Sequence, residues 1–272
     1  MPELPEVETI AGYLRYGHGE QPPMLGEVVL NAVVLNPKTL ANMDEAQFAR
    51  RLKGQHVDSI RRRGKFLRIL FEKDQLVIHL RMSGDIRVET ESEAALLLHD
   101  RLYLDFESGK RMVLNDTRKF ARSWLLPVEA EMPAELGPEP LDEMFTAKGL
   151  HDRLNKSKRA IKAVLLDQSV LAGVGNIYSD ESLFLAGIDP RRAADTLSLE
   201  DTQRLLEAIR KVLKQGILTH GASIDWVYRG GDFQNHFNVY QRKGESCKVC
   251  GNPIERTVVG QRGTHFCPRC QK

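Results

Sequence analysis

The four cysteines of this 272-residue chain all lie near its end, and their spacing is the feature that most constrains its fold. They form a C-x2-C-x16-C-x2-C pattern made by Cys247, Cys250, Cys267 and Cys270. Two CxxC turns can supply four thiolates to one tetrahedral Zn²⁺ ion. Two disulfides are the alternative, but the chain shows no secretory signal and cytosolic thiols stay reduced. We therefore predict one structural zinc ion, with no open position for catalysis.

The cysteine-containing tail is also basic. Residues 241–272 carry seven Lys/Arg against two Glu, a net charge of +5, whereas the whole chain has +2. Such a tail has too little apolar core to fold alone, so the metal must supply folding energy. Its charge suggests a polyanion contact confined to part of the surface, although charge alone favours a merely solvated tail.

Composition is that of a globular protein, with 42% hydrophobic and 28% charged residues. No apolar run approaches the roughly 20 residues of a membrane helix. The start of the chain is acidic and has no apolar core of a signal peptide. We therefore expect a cytoplasmic protein without a membrane partner, and the length suits two domains.

Periodicity divides the chain into regions of different secondary structure. Val7, Ile10, Ala11 and Leu14 share one face of a helix that begins directly behind the terminus. Short alternating strands follow to about residue 127, with ESGK at 107–110 predicted to be a hairpin turn, and favour an antiparallel sandwich or barrel. An acidic, proline-rich stretch predicts a linker, and helical periods follow it, the first in LDEMFTAKGLHDRLN at 141–155. The predicted domains are 1–127 (β-sandwich, catalytic), 128–140 (linker), 141–240 (helical, DNA-binding) and 241–272 (zinc finger).

The first residues, MPELPEV, allow two interpretations. If Met1 is removed, Pro2 offers a secondary amine that is partly unprotonated near neutral pH, since α-amino groups titrate at about 7.7–8.0. Such an amine can attack an aldehyde-like carbon to give an iminium, and Glu3 could move protons beside it. From these residues alone the favoured interpretation is simpler: prolines that shape the entry to a helix.

Two further motifs suggest phosphate contacts. RRRGKFLR places five cations within eight residues, which favours salt-sensitive binding to a polyanion, with a polar edge strand as the alternative. LAGVGNIY is not a dinucleotide fingerprint, because the third glycine and a preceding strand are missing. Its glycines, Gly173 and Gly175, instead predict a tight turn between two helices that brings backbone N–H groups near a phosphate. Lys158 and Lys162, just upstream, are candidate phosphate cations.

MPELPEVET, RRRGKFL, HLRMSG, NDTRKF, LAGVGNIYSDESLF and the cysteine pattern occur in that order, from Pro2 to Cys270. In this respect the chain closely resembles bacterial formamidopyrimidine-DNA glycosylases, which remove oxidised purines from DNA. The resemblance implies an α+β multidomain fold. It consists of an N-terminal antiparallel β-sandwich with a flanking helix, then a helix–two-turns–helix domain with a zinc-bound β-hairpin. It also implies a bacterial, nucleoid-associated enzyme, and nothing in the sequence suggests an oligomer, so we expect a monomer.

The resemblance assigns catalytic roles to four residues. Pro2 would be the Schiff-base nucleophile once Met1 is removed, and Glu3 would be the proton donor. Lys65 would assist β-elimination, and Arg262, at the GQRG turn of the zinc hairpin, would aid δ-elimination. We expect these groups in the cleft between the domains.

The resemblance also assigns the contacts to damaged duplex DNA. Met82, Arg118 and Phe120 would fill the gap left when the damaged nucleotide is flipped out. His99 and Lys158 would bind DNA, and Asn176 would contact the backbone phosphate and also cap the helix that follows the glycine turn.

Two places depart from the family pattern. Ala121 replaces a usual glycine after Phe120 and could shift the wedge. The stretch 221–240, which in the family includes the loop over the flipped base, is shorter than the family pattern and carries Trp226, Tyr228, Phe233 and Phe237. Lesion preference is therefore open, and two alternatives stand beside an oxidised-purine glycosylase and abasic-site lyase. One is an endonuclease VIII-like glycosylase for oxidised pyrimidines, and the other is a non-catalytic zinc DNA-binding protein.

Overall fold

The computed structural model describes residues 1–90, 95–223 and 230–272. The chain forms two compact units. Unit 1 is Met1–Ala134, and unit 2 is Glu135–Ala222 with Gly231–Lys272. None of the described helices combines the length and the apolar character needed to cross a membrane.

Unit 1 is built from two antiparallel sheets and two helices. The helices are α1 (Leu4–Tyr16) and α2 (Glu45–Leu52). The strands are β1 (Val29–Val34), β2 (Val57–Arg63), β3 (Phe66–Phe71), β4 (Asp74–His79), β5 (Gly84–Glu89), β6 (Asp100–Phe106), β7 (Arg111–Asp116) and β8 (Arg122–Pro127). Their orders are β1-β6-β7-β5 and β2-β3-β4-β8.

The two sheets share one apolar core, which makes unit 1 a sandwich. In β5, Ile86 and Val88 point into the core while Arg87 and Glu89 are only partly buried, the alternation expected for a strand with one covered face. The core also takes in α1 and α2 and draws side chains from both sheets. All four residues predicted to form the apolar face of α1 are buried. The predicted ESGK hairpin also forms, joining β6 to β7 with Gly109 at a φ of +86°.

Unit 2 contains four helices and a two-stranded hairpin in its described residues. The helices are α3 (Ala147–Leu154), α4 (Ile161–Leu165), α5 (Asn176–Ala186) and α6 (Leu199–Leu218), and the hairpin pairs β9 (Glu255–Val259) with β10 (Arg262–Phe266). Helix α6 begins with a capping box, in which the side chains of Ser198 and Asp201 each accept a backbone N–H of the other residue. Helix α3 begins later than the pattern predicted, because residues 141–145 form turns closed by the Phe145 N–H on Asp142.

The β9–β10 hairpin is closed by a two-residue loop. Val259 and Arg262 pair across a two-residue turn, and both turn residues have positive φ, +55° at Gly260 and +62° at Gln261. These angles match the type I′ turn, whose twist suits two antiparallel strands. Arg262 is thus the first residue of β10, directly behind the turn. The predicted fold class is confirmed: an antiparallel sandwich with a flanking helix, then a helical region with a C-terminal cysteine hairpin.

Candidate nucleic-acid interface and metal centre

The four cysteine sulfurs form a compact cluster in unit 2. All lie within 4.8 Å of one another. Cys247 Sγ is 3.9 Å from Cys270 Sγ, and Cys250 Sγ is 3.5 Å from Cys267 Sγ. A tetrahedral site with Zn–S bonds of about 2.3 Å requires sulfurs roughly 3.8 Å apart. The cluster therefore fits one zinc ion with four thiolate ligands, as the sequence predicted.

The cysteine cluster belongs to a small apolar core that joins the hairpin to α5. Phe184 of α5 packs with Val239, Ile254 and the buried cysteines. The Glu181 carboxylate, on the same helix, accepts backbone N–H bonds from Asn238, Val239 and Tyr240 at 2.9–3.0 Å. The chain entering the zinc segment is thus fixed to α5 through both apolar and polar contacts.

A buried ion pair makes a second link between the hairpin and the helices. Lys162 Nζ lies 2.6 Å from Asp180 Oδ1, and both side chains are fully buried. The same ammonium donates to Gly263 O at 3.0 Å and to Thr264 Oγ1 at 2.8 Å. Asp180 Oδ2 accepts the His265 N–H at 2.9 Å. The suggestion that Lys162 binds phosphate is therefore wrong, because its ammonium group is buried and already bonded to Asp180 and to β10.

The glycine turn before α5 differs from its prediction in two details. Gly175, not Asn176, is the N-cap, and Asn176 is the first helical residue with no side-chain cap bond. The residue before a helix must be extended, and Gly175 takes that role at φ −131°. The Gly173 N–H already donates to Gln168 Oε1 at 2.9 Å, so that donor is occupied.

Asn176 and Lys158 nevertheless keep polar groups uncommitted within the described chain. The Oδ1 atom of Asn176 is buried and has no hydrogen-bond partner among the described residues. The Lys158 side chain is exposed in the segment between α3 and α4. Both residues belong to unit 2, as does the exposed Arg262.

The start of α1 buries an unusual set of polar residues in unit 1. Pro2 is buried, Glu3 and Glu6 are each only 2% exposed, and Met1 remains 45% exposed. The Glu3 N–H donates to Glu6 Oε2 at 2.7 Å. Glu6 was missed in the sequence analysis, although a Glu three residues after an N-cap is the signal of a capping box. Charged side chains are almost never this buried without a structural or chemical role.

Lys65 lies in the turn between β2 and β3. Its side chain is 5% exposed. The residue before it, Gly64, has a φ of +56°, which a non-glycine residue rarely adopts. Arg62 Nε, at the end of β2, contacts Glu8 Oε2 of α1 at 2.9 Å. Because Glu8 is only about one turn from the helix start, this contact sets the first turns of α1 beside the end of β2.

The five cations of RRRGKFLR do not act alike. Arg62 is paired with Glu8, while Arg61 and Arg68 lie directly opposite each other on the other face of the sheet. Burial, and then the charges of Arg61 and Arg63, lower the pKa of Arg68 from its ordinary value. Side chains alternate between the two faces of the sheet along β2, so Arg62 lies on a different face from Arg61. Because Arg62 is paired with Glu8, we no longer count it among the predicted phosphate contacts.

His79, at the end of β4, is a buried neutral imidazole near this turn. Burial first, and then the charges of Arg81 and Lys65, lower its pKa to about 3. The Arg81 N–H donates to its Nδ1 at 3.0 Å, so the proton of the neutral ring lies on Nε2. Its ring meets Phe66 edge-on with centroids 4.7 Å apart.

The three residues of the suggested wedge come from two loops of unit 1, which we call the wedge loops: residues 80–83 and 117–121. Met82 is 40% exposed and Phe120 52% exposed. Arg118 is also exposed, and its Nη1 lies 3.9 Å from Met82 Sδ. Met82 and Arg118 are 36 positions apart in sequence, so the sheet brings together side chains that the sequence alone could not pair.

His99 lies at the same end of this sheet, just before β6. The Arg101 Nη2 is 3.2 Å from His99 Nδ1. A guanidinium only donates, so Nδ1 accepts and Nε2 carries the proton. His99 is partly exposed and therefore offers an N–H donor at the end of the sheet that carries the wedge loops.

The aromatic residues of the 221–240 stretch divide into two groups. Trp226 and Tyr228 lie outside the described residues. Phe233 and Phe237 are buried, 3% and 5% exposed, and Phe233 stacks on Tyr178 with centroids 5.0 Å apart. These two phenylalanines therefore belong to the packed interior of unit 2.

Three family models match the chain. The formamidopyrimidine-DNA glycosylase N-terminal domain matches residues 1–123, and the formamidopyrimidine-DNA glycosylase H2TH domain matches residues 136–227. The zinc finger found in FPG and IleRS matches residues 244–272. Together these models cover both units and include the cysteine cluster.

Curated relatives agree with the models. Formamidopyrimidine-DNA glycosylase of Geobacillus kaustophilus is 42% identical over 281 residues, covering 100% of both chains. The protein of the same name from Chloroflexus aurantiacus is 41% identical over 278 residues, covering 100% of this chain and 98% of the other.

Solved structures agree as well. Lactococcus lactis Fpg in complex with abasic-site DNA is similar with a TM-score of 0.90 and 34% identity, covering 99% of both chains. MutM in complex with DNA containing carbocyclic 8-oxo-G has a TM-score of 0.91 and 35% identity, covering 100% of both. The chain therefore belongs to the formamidopyrimidine-DNA glycosylase family, and its cysteine cluster is the family's structural zinc site.

Proposed function

We propose that this protein is a bifunctional DNA glycosylase and abasic-site lyase that excises oxidised purines from duplex DNA. The observation that carries the proposal is the burial of Pro2 and Glu3 at the start of α1, and of Lys65 in the β2–β3 turn, all in unit 1. Two charged side chains and a proline amine that becomes a nucleophile on removal of Met1 are what Schiff-base chemistry requires. Family membership supports the reaction class, because relatives carry the glycosylase name.

The reaction begins with the Pro2 nitrogen, freed by loss of Met1. Its lone pair forms a bond to C1′ of the damaged nucleotide while the bond from C1′ to the base breaks. The electrons leave with the base, which takes up a proton, and Glu3 is the proposed donor. Opening of the sugar ring breaks the bond from C1′ to the ring oxygen, which takes up a proton, while the nitrogen loses its own proton. The product is an iminium, an electron sink that acidifies the C2′ proton.

Strand cleavage follows from that iminium. Loss of the C2′ proton breaks the bond from C3′ to the phosphate oxygen, and Lys65 is the proposed participant in this β-elimination. A second elimination breaks the bond from C5′ to its phosphate oxygen, and Arg262 is the proposed participant. Zinc contributes no step here: bound to the four cysteines, it supplies folding energy that fixes the hairpin from which Arg262 projects.

The proposed DNA contacts come from both units. In unit 1 the wedge loops offer Met82 and Phe120 to fill the gap in the base stack, and Arg118 to bond the base left unpaired. His99 in unit 1 and Lys158 and Asn176 in unit 2 are proposed to contact phosphates. Several such contacts predict binding that weakens steeply with salt.

Borohydride trapping on abasic DNA tests the proposal. The protein purified after loss of Met1, verified by intact mass, is expected to give a covalent adduct whose labelled peptide begins at Pro2. A Pro2→Gly variant and a form that retains Met1 are expected to give at least about 100-fold less adduct. A Pro5→Ala variant, altered at the next proline along the same helix, serves as the matched control and should trap normally.

Two outcomes would contradict the proposal. Absence of any adduct with the processed protein would leave only a zinc-containing DNA-binding protein. Faster cleavage of thymine glycol than of 8-oxoguanine opposite cytosine would indicate an oxidised-pyrimidine glycosylase.

A further inference from the structure

One buried carboxylate, that of Asp116, joins the two wedge loops. Asp116 is the last residue of β7 and is fully buried. Its Oδ1 accepts a hydrogen bond from the Ser83 hydroxyl, in the first wedge loop. The same oxygen accepts the Arg118 N–H at 3.1 Å, and Oδ2 accepts the Ala121 N–H at 2.7 Å, both from the second wedge loop.

The hydrogen-bond donors to the Asp116 carboxylate show which segments it stabilises. A buried carboxylate is costly unless its oxygens are hydrogen-bonded. In the described chain all of the side-chain bonds recorded for Asp116 come from the wedge loops and none from the strands beside it. The sheet already pairs the Asp116 backbone with Gly84 of β5 without help from the side chain. The carboxylate therefore contributes mainly to the arrangement of the loops.

Both wedge loops have backbone conformations that need such support. Arg81 has a φ of +57° and Lys119 a φ of +59°, a region that residues with side chains seldom occupy. At the end of the first loop, a Cβ on Gly84 would lie 2.5 Å from Leu80 O, so the chain closes there too tightly for any other residue. Unusual conformations of this kind persist when surrounding contacts fix them.

The Asp116 backbone extends the link to His99. The Asp116 N–H donates to His99 O at 2.8 Å, and the Arg101 Nε donates to Asp116 O at 2.8 Å. Arg101 also reaches the His99 ring, at 3.2 Å. Asp116 thus touches three segments that carry proposed DNA contacts.

We propose that Asp116 is a positioning residue for insertion into DNA. It holds Met82 and Arg118 at a fixed separation, so that both enter the base stack together without rearrangement of either loop. This inference rests on the proposed function, since it assumes that the wedge loops fill the gap left by a flipped nucleotide.

The test uses Asp116→Asn, which keeps the size of the side chain and removes one acceptor. An amide nitrogen cannot accept from Ala121 or Arg118, so one loop loses its bond. The matched control is Asp105→Asn, on β6 of the same sheet. Asp105 is also a carboxylate held by hydrogen bonding, 2.6 Å from Arg111 Nε, but it lies at the opposite end of β7.

The direct readout is 2-aminopurine fluorescence opposite a tetrahydrofuran abasic analogue in duplex DNA, measured at saturating protein. The wild type and Asp105→Asn are expected to change the fluorescence equally, and Asp116→Asn by less than half as much. In kinetics, loss of one hydrogen bond to a charged group predicts a roughly 10- to 100-fold lower kcat/KM for excision from duplex DNA. Elimination at an abasic site in single-stranded DNA, which has no opposite base, should change less than about 3-fold.

The outcomes separate this inference from the proposed function. Normal fluorescence and excision by Asp116→Asn would overturn the inference, and so would equal losses on duplex and single-stranded substrates, which indicate a general loss of folding. Ser83→Ala removes one donor and leaves Asp116 in place, so it should give a smaller loss of the same kind. A wild type that gives the fluorescence change but no trapped adduct would refute the proposed chemistry and leave the role of Asp116 standing.

Discussion

The wedge loops of unit 1 and the β9–β10 hairpin of unit 2 both present exposed arginines, but they are held in place by different means. Arg118 sits on a loop fixed by Asp116 at the edge of a sandwich with a large apolar core. Arg262 follows a two-residue turn on a hairpin with a core of a few side chains, four cysteines and the Lys162–Asp180 pair. The hairpin, with its small apolar core, is held by a metal site and a buried ion pair, whereas the wedge loops, next to a large core, are held by one carboxylate.

Removing the metal should give the largest difference between the hairpin and the wedge loops. Cys267→Ser, or chelation of zinc, should unfold the hairpin, because metal binding to small zinc modules supplies roughly 10–16 kcal/mol of folding free energy. Hydrogen exchange measured by mass spectrometry should show loss of protection in 241–272. Peptides from β5 and β7 should stay protected and serve as the internal control. Retained protection in the hairpin would show that its apolar core suffices.

The second largest effect is expected from the buried ion pair. Lys162→Met leaves Asp180 buried without its cation, which typically costs about 3–5 kcal/mol. The rate of zinc release to a chromogenic chelator should rise, since the pair holds β10 to the helices. A Lys162→Met, Asp180→Leu double variant should recover part of the loss, because no buried charge is left unpaired, although the His265 N–H loses its acceptor. Equal release rates for wild type and Lys162→Met would contradict the link.

A smaller effect, confined to unit 1, should depend on pH. The pKa of His79 is about 3 in the folded protein and about 6.5 when unfolded, so the unfolded state binds the extra proton. The stability contributed by neutral His79 is complete above pH 6.5 and is lost as the pH falls towards 3. Between pH 8 and pH 5 the loss is about 2 kcal/mol, and His79→Gln should abolish it.

Urea unfolding followed by tryptophan fluorescence at both pH values measures this difference. His56→Gln is the control, since His56 is half-exposed on the surface beside Asp58. An unchanged pH dependence in His79→Gln would contradict the assignment of His79 as the buried neutral histidine.

The smallest effect should be the same in both regions. Gln261 of the hairpin turn and Lys119 of a wedge loop have nearly equal positive φ angles, +62° and +59°. Replacing either by glycine removes backbone strain but raises the entropy of the unfolded chain, for a net gain of about 0.5 kcal/mol. Thermal unfolding of the two variants checks this. A marked loss in Lys119→Gly alone would show that its side chain contributes more than its conformation.

Local sequence patterns predicted secondary structure and the metal site well where a single residue type determines the local structure. The apolar face of α1 and the ESGK hairpin follow from spacing and turn residues, and the cysteine spacing predicted the metal centre. Helix α3 was predicted too long, because the apolar residues of 141–146 resemble a helix turn although they form tight turns.

Side-chain roles that depend on distant partners were not predictable in this way. Lys162 resembles a phosphate cation until Asp180, 18 positions away, is found beside it. The β2 run of cations was treated as one group, although strand alternation alone could have assigned Arg62 to the other face. Asp116 gave no signal, since its donors come from two loops 35 positions apart.

The strand order of the β1-β6-β7-β5 sheet also indicates where the molecule tolerates change. The wedge loops and His99 all meet at one end, because β5 and β6 are both antiparallel to β7. The β6–β7 hairpin at Ser108 therefore points the opposite way. A dye or an inserted peptide tag at that tip would report on the sandwich from a site remote from the wedge loops.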